Sequence, residues 1–308
     1  MGAHRLVNQT LLRSESTKAW IHTRIVELIS SESAVPTLSG AAHRLTALLS
    51  KEDVGLAMIG DVISLDPGLC TRCLRAANSA ARGRRNIQSI NDALLIIGLN
   101  EVRRFAMTMG VLNNFSHLRI SVDWDRFWLH SVLVGRLTEK LAGGFRDTSG
   151  LDYLAGLLHD VGKLIEQHYF PREFEQVIIR SLERKCGHAP MEKEILGLDH
   201  AQIGAAICDV LLLPANLTSG IRYHHEALTP QSIADQHGEQ AFLASCICVA
   251  DTLANIAGAT MGGEKPAPPS LDEIPEWIHL NNTFSCRGLN LDLEEELSRA
   301  KSEISAYK

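Results

Sequence analysis

Residues 151–168 read Leu151-Asp152-Tyr153-Leu154-Ala155-Gly156-Leu157-Leu158-His159-Asp160-Val161-Gly162-Lys163-Leu164-Ile165-Glu166-Gln167-His168. Apolar residues fall almost all round the helical wheel of this stretch, which predicts one helix sunk in the core. His159, Asp160 and Lys163 stand close together inside it. A buried charge has to be paired, neutralised or bound to a metal. Adjacent helical positions point about 100° apart, so His159 and Asp160 can converge on one ion near a helix end.

Helical periodicity continues on both sides. Ile21, Ile25, Leu28 and Ile29 share a face with Trp20, and Met58, Ile59, Val62, Ile63 and Leu65 share another. Asp66-Pro67 reads as a helix start, with Asp as N-cap and Pro in the first helical position. Ser89 to Ile97 reads as a short helix closed by Gly98. In the second half, helices are expected from Asp123 to Ala142, ended by Gly143-Gly144, then from Pro171, over Ala201–Leu212, from Pro214 to the His224 region, and over Ala241–Ala257. Leu291 to Ala306 reads as a solvated terminal helix. Gly262 to Pro269 is linker-like. No run of alternating strands occurs, so the expected class is all-α.

The chain has 308 residues, 45% hydrophobic and 21% charged, which are globular values. A net charge of −6 argues against broad nucleic-acid binding, which needs an excess of cations. Met1 to Trp20 carries Arg5, Arg13, Glu15 and Lys18 and no continuous apolar block, so no secretory signal is expected. Ala241 to Gly263 is long enough to span a membrane, but Asp251 sits near its centre, where a carboxylate costs roughly 2.5–3.5 kcal/mol. A buried helix of a soluble protein fits better. The seven cysteines show no regular spacing beyond Cys70/Cys73, and are read as reduced, mostly buried thiols.

Of the 13 histidines, His188 and seven others stand in unremarkable surroundings. The remaining five do not. His130 is flanked by Phe127, Trp128, Leu129 and Val132; His200 opens a helix with a small-residue face; His224 and His225 are adjacent. Asp251 follows the apolar run Cys246–Ala250. The economical arrangement gathers His130, His159, Asp160 and Asp251 round one ion, with His200, His224 and His225 completing a second site about 3.5–4 Å away. Nitrogen and oxygen donors suit a divalent transition metal, Fe, Mn, Ni or Zn, as one or two ions. Asp160 and Lys163 are the catalytic candidates, Lys163 neutralising a phosphate or steering water. A plainer reading stands beside this: Asp160 pairs with Lys163 three residues on, and His224-His225 meets a helix dipole. Arg82, Arg84 and Arg85 offer an anion-binding patch or a solvated loop.

On these residues the sequence resembles the HD superfamily of metal-dependent phosphohydrolases, through Phe127–Ser131, Leu157–Lys163, Asp199–Ala205, Tyr223–Glu226 and Ala250-Asp251. More closely it resembles the HDOD subfamily, through Val35–Leu38, Ile63–Leu69, Leu74–Ala80 and Ile90–Leu99. The resemblance implies an HD-type helical bundle with an additional N-terminal helical lobe, in a bacterial signalling module. Many HDOD proteins have lost ligand positions, whereas all seven are occupied here. The chain is also similar to HD-GYP phosphodiesterases, but Glu226–Gln231 lacks the GYP block, so cyclic di-GMP hydrolysis is not carried over.

Four segments are expected: an extension over 1–33, an HDOD lobe over 34–120, an HD-like lobe over 121–260, and a loop with a terminal helix over 261–308. Three functional readings compete. The first is a cytoplasmic regulatory module with a metal-competent site, binding a phosphorylated ligand or nucleotide, or a protein partner. The second is an active phosphohydrolase or phosphodiesterase. The third is a metal-free polar core.

Overall fold

The computed structural model describes residues 123–228 (except 149), 239–260 and 270–307, the stretches 55–64 and 89–98, and single residues elsewhere between 20 and 118. Among these the regular elements are all helical. They are α1 (Leu56–Ser64), α2 (Ile90–Ile97), α3 (Trp124–Gly143), α4 (Gly150–Leu158), α5 (Gly162–Tyr169), α6 (Pro171–Arg184) and α7 (His188–Ile195). They continue with α8 (His200–Val210), α9 (Ala215–Tyr223), α10 (Glu239–Ile256), α11 (Pro275–Thr283) and α12 (Leu293–Tyr307).

The local chemistry of the helix ends matches the sequence. Asp123 caps α3 by accepting from the amides of Asp125 and Arg126. Ser89 caps α2, and Gly98 closes it at φ 84°. Asp199 and Gln202 form a reciprocal capping box on α8, which fixes the direction from which His200 enters. Pro171 opens α6.

Three expectations are corrected. The apolar stretch 151–168 is two helices rather than one, broken by a turn over His159, Asp160 and Val161. The break follows from packing: Gly162 lies directly against the first turn of α8, where a Cβ would fall 2.1 Å from the His200 carbonyl oxygen. The terminal helix α12 is not simply solvated, because Glu296, Ala300, Glu303 and Ile304 are buried. Helices α7 and α11 have no counterpart in the periodicity reading. The Asp66-Pro67 helix start, the 262–269 linker, and Cys73 of the Cys70/Cys73 pair lie outside the described residues.

The core is assembled round α3, which packs against α4, α10 and α12. Its approach to α4 is set by glycine: a Cβ on Gly156 would lie 2.8 Å from the Gly135 Cα, and one on Gly135 2.9 Å from the Tyr153 carbonyl oxygen. Helix α9 packs on α8, α10 and α4, and α8 packs on α5. Helix α10 buries Phe242, Leu243, Cys246, Ile247, Val249 and Ala250 within this core, as expected for an internal helix. No described helix is long and apolar enough to cross a membrane. None of the described cysteines is in a disulfide, but only Cys208 and Cys246 are buried, against the expectation of mostly buried thiols, and burial pushes both well above the ordinary thiol value.

The N-terminal region joins this bundle through a buried charge cluster. Arg136 of α3 donates to Glu296 of α12 at 2.8 Å and to both carboxylate oxygens of Glu101 at 2.8 and 2.9 Å. Arg104 reaches Glu139 at 2.5 Å and Glu101 at 2.6 Å. The hydroxyls of Thr108 and Tyr153 meet Glu303 Oε1 at 3.0 and 3.1 Å.

Candidate metal centre

Seven side chains singled out in the sequence converge at one end of α3. His130 comes from α3, His159 and Asp160 from the α4–α5 turn, and His200 from the first position of α8. His224 and His225 follow α9, and Asp251 comes from α10. His130, His159, Asp160, His200 and His224 are buried, Asp251 is partly buried, and His225 is exposed at the rim.

Four rings are oriented the same way. Nδ1 of His130 lies 2.7 Å from the Ala259 carbonyl oxygen, that of His159 2.8 Å from Gly156 O, and that of His224 2.7 Å from Ile221 O. Carbonyl oxygens only accept, so each Nδ1 carries the proton it donates. Nδ1 of His200 lies 2.6 Å from Glu192 Oε2. In every case Nε2 is turned inward. The Nε2 atoms of His159 and His224 are buried with no hydrogen-bond partner. Ring orientation by an outer carbonyl or carboxylate is the usual arrangement behind a metal-ligating imidazole.

Asp160 stands between two groups of these nitrogens. Its Oδ2 is 3.5 Å from His159 Nε2 and 3.7 Å from His130 Nε2, and its Oδ1 is 3.0 Å from His200 Nε2. Asp251 Oδ1 is 3.2 Å from His130 Nε2. His200 and His225 bring their Nε2 atoms to 2.8 Å. Ligand atoms are close enough to hold an ion in three overlapping sets: His130, His159 and Asp251; His159, Asp160 and His224; and His200, His224 and His225. Lys163 Nζ donates to Asp160 Oδ2 at 2.7 Å, so the plain pairing is also present.

The electrostatics favour a cation. Burial opposes ionisation of Asp160, but His159, Lys163 and His200 outweigh it and hold the carboxyl well below its ordinary value. Burial likewise opposes Asp251, and His130 outweighs it. Burial pushes His159 down to about 3 and lowers His224, so both rings are neutral. For His200 burial is overcome by Glu192, which raises it to about 9. Neutral His159 and His224 and the ionised carboxylates of Asp160 and Asp251 form a donor set that fits a divalent metal, and His130 and His200, which Asp251 and Glu192 raise, would each yield a proton to join it.

Arg82, Arg84 and Arg85 lie outside the described residues. Sequence reading missed Glu192, which grips His200, along with Glu166 behind it and His188, all three buried. Glu192 belongs to a polar stretch, His188–Ile195, and no local pattern marks it as internal.

A family model described as the HDOD domain matches residues 35–227. The chain is 25% identical to an HDOD domain protein of unknown function from Geobacter sulfurreducens, with a TM-score of 0.71 over 93% of this chain and 96% of that one. A candidate phosphohydrolase from Shewanella amazonensis SB2B shares 22% identity and the fold, with a TM-score of 0.63 over 92% of this chain and 96% of that one. A candidate signal transduction protein from Marinobacter aquaeolei VT8 shares 24% identity and a TM-score of 0.69, over 94% of this chain and 65% of that one. An uncharacterized protein of Treponema pallidum is 26% identical over 196 residues, which is 62% of this chain and 37% of the relative's length.

Proposed function

The chain belongs to the HDOD domain family, and from that premise we propose that it is a signal-transduction module built round a divalent metal centre. His130, His159, Asp160 and Asp251 would hold one ion, and His200, His224 and His225 a second. The carrying observation is the shared ring orientation: outer acceptors take each Nδ1, and the His159 and His224 Nε2 atoms face inward with nothing to bond. A buried polar atom left without a partner costs about 1–3 kcal/mol, and a cation removes that cost at both rings.

When bound, such a metal supplies Lewis acidity and a water ionised near neutral pH. The chain's own residues do the rest. Asp160 bridges the two ligand groups, Lys163 holds its Oδ2, and the exposed His225 marks the side open to a ligand. In this reading a phosphorylated small molecule or nucleotide, or a protein partner, sets the output. The setting is the bacterial cytoplasm, and residues 34–120 and 121–260 form two lobes.

A second reading, an active phosphohydrolase or phosphodiesterase, is favoured by Lys163. Its side chain is 11% exposed, and burial, which opposes its charge, is overcome by Asp160 and Glu192. A lysine kept cationic at the centre suits a phosphate ester. Elemental analysis of the purified chain beside Asp160→Ala tests the metal. Stoichiometric metal in the first and its loss in the second is expected, with a melting temperature that falls on chelation. A metal-free chain indifferent to chelator returns the site to a polar core. A phosphatase and phosphodiesterase panel then separates the two functional readings.

A further inference from the structure

Four of the five histidine rings at the centre are steered from behind by an acceptor on Nδ1. His225 is the exception. Among the described residues its ring has one hydrogen-bond partner, His200, with the two Nε2 atoms 2.8 Å apart. It also stands outside regular structure, because α9 ends at Tyr223 and residues 224–228 form turns. Neither helix geometry nor an outer acceptor therefore fixes the direction of this ring. Yet His200, His224 and His225 bring their ligand atoms within 4.8 Å of one another.

Lys193 of α7 joins the two pieces of chain that carry this set. Its Nζ lies 3.0 Å from Asp199 Oδ2 and donates to Glu226 Oε1. Asp199 immediately precedes His200 and is 2% exposed. Its other carboxylate oxygen caps α8 by accepting from the Gln202 amide at 2.8 Å. Glu226 immediately follows His225, and its amide donates to the Tyr223 carbonyl oxygen at 2.8 Å. One ammonium thus holds a chain neighbour of each of the two facing rings. Glu192, the residue before Lys193, faces Nδ1 of His200 at 2.6 Å, so two consecutive residues of α7 serve the same pair. The Lys193 and Glu226 side chains are 37% and 46% exposed, and ion pairs so open to water add little to stability. What this pair supplies is placement.

We propose that Lys193 is a positioning residue for the three-histidine set, clasping the His225 turn to the N-cap of α8 so that the His200 and His225 Nε2 atoms meet on one ion. The proposal rests on the reading of that set as the holder of a second ion.

The sign of the effect separates this role from simple charge. Removing a lysine near a cation site relieves repulsion and strengthens binding, whereas loss of a clasp weakens it. Zn2+ binding to the full chain is measured by competition with a chelator, in wild type, Lys193→Met, Lys193→Arg and Glu226→Gln. Two ions are expected in wild type. In K193M the weaker of the two should bind about tenfold less tightly, the low end of the usual loss with an outer-shell partner, and the tighter should be unchanged. E226Q should follow K193M, and K193R should recover most of the loss. In the metal-free proteins, the His225 ring resonances should move in K193M and E226Q and return towards wild type in K193R, while those of His130 and His159 stay in place. Tighter binding in K193M, equal loss at both ions, no rescue by arginine, or unmoved His225 resonances would each overturn the assignment. If K193M does not fold, E226Q against wild type decides. If the wild type takes up fewer than two Zn2+, the reading of a second ion fails by itself, and the His225 resonances still judge Lys193.

Discussion

Gly162 occupies a position that no side chain can share. A Cβ there would sit 2.1 Å from one backbone oxygen of His200 and 2.8 Å from the adjoining carbon, and backbone cannot swing aside as a flexible side chain does. Gly162→Ala therefore has to drive α5 from α8. The expected loss of stability is about 1–3 kcal/mol or more, read by urea denaturation, with a parallel fall in bound metal because His200 moves away from Asp160, now 3.0 Å from its Nε2. An unchanged metal content would show that the contact does not set the centre. His130, His159, Asp160 and Asp251 were legible in the sequence because charge or imidazole inside an apolar run is anomalous by itself. Glu192 and Glu166 were not. Glutamate in a polar helix such as α7 is ordinary, and only the tertiary approach of α5, α7 and α8 makes these two groups internal.

The element that sequence periodicity misjudged is the pair α4–α5. Hydrophobicity runs unbroken through residues 151–168, and a three-residue turn leaves no mark on a pattern that is apolar on every face. Helix α12 was misjudged for the opposite reason. Its glutamates signal solvent, yet Glu296 is 1% exposed because Arg136 lies opposite. The cluster at that junction gives a pH prediction. Burial raises the Glu101 carboxyl, but Arg136 and Arg104 outweigh it and lower it from 4.5 to about 2. A depressed carboxyl stabilises the fold fully above its unfolded value and loses that contribution as pH falls toward the folded one. The stability gap between wild type and Glu101→Gln should be flat above pH 4.5 and close between there and about pH 2. Denaturant titrations at several pH values measure it, and a gap that widens with acid would contradict the assignment.

Across the whole molecule, α12 completes a cluster that also holds the N-terminal region. Removing residues 293–308 deletes Glu296 and Glu303 and leaves Arg136, itself 1% exposed, without two of its counterions. Loss of one side of a buried ion pair costs about 3–5 kcal/mol. The shortened chain should melt at a markedly lower temperature, and Arg136→Met within it should recover part of the loss. If methionine there makes the shortened chain worse, stranded charge is not the cause. The all-helical class and the convergence of distant helices could be read from the sequence, whereas this seam could not, since its members are scattered from Glu101 to Glu303 and each looks like ordinary surface charge. One result of that scatter concerns inheritance. The seam draws on none of the imidazoles, so a descendant could shed its histidines one by one and still keep an intact scaffold, free to persist as a docking piece long after any chemistry was gone.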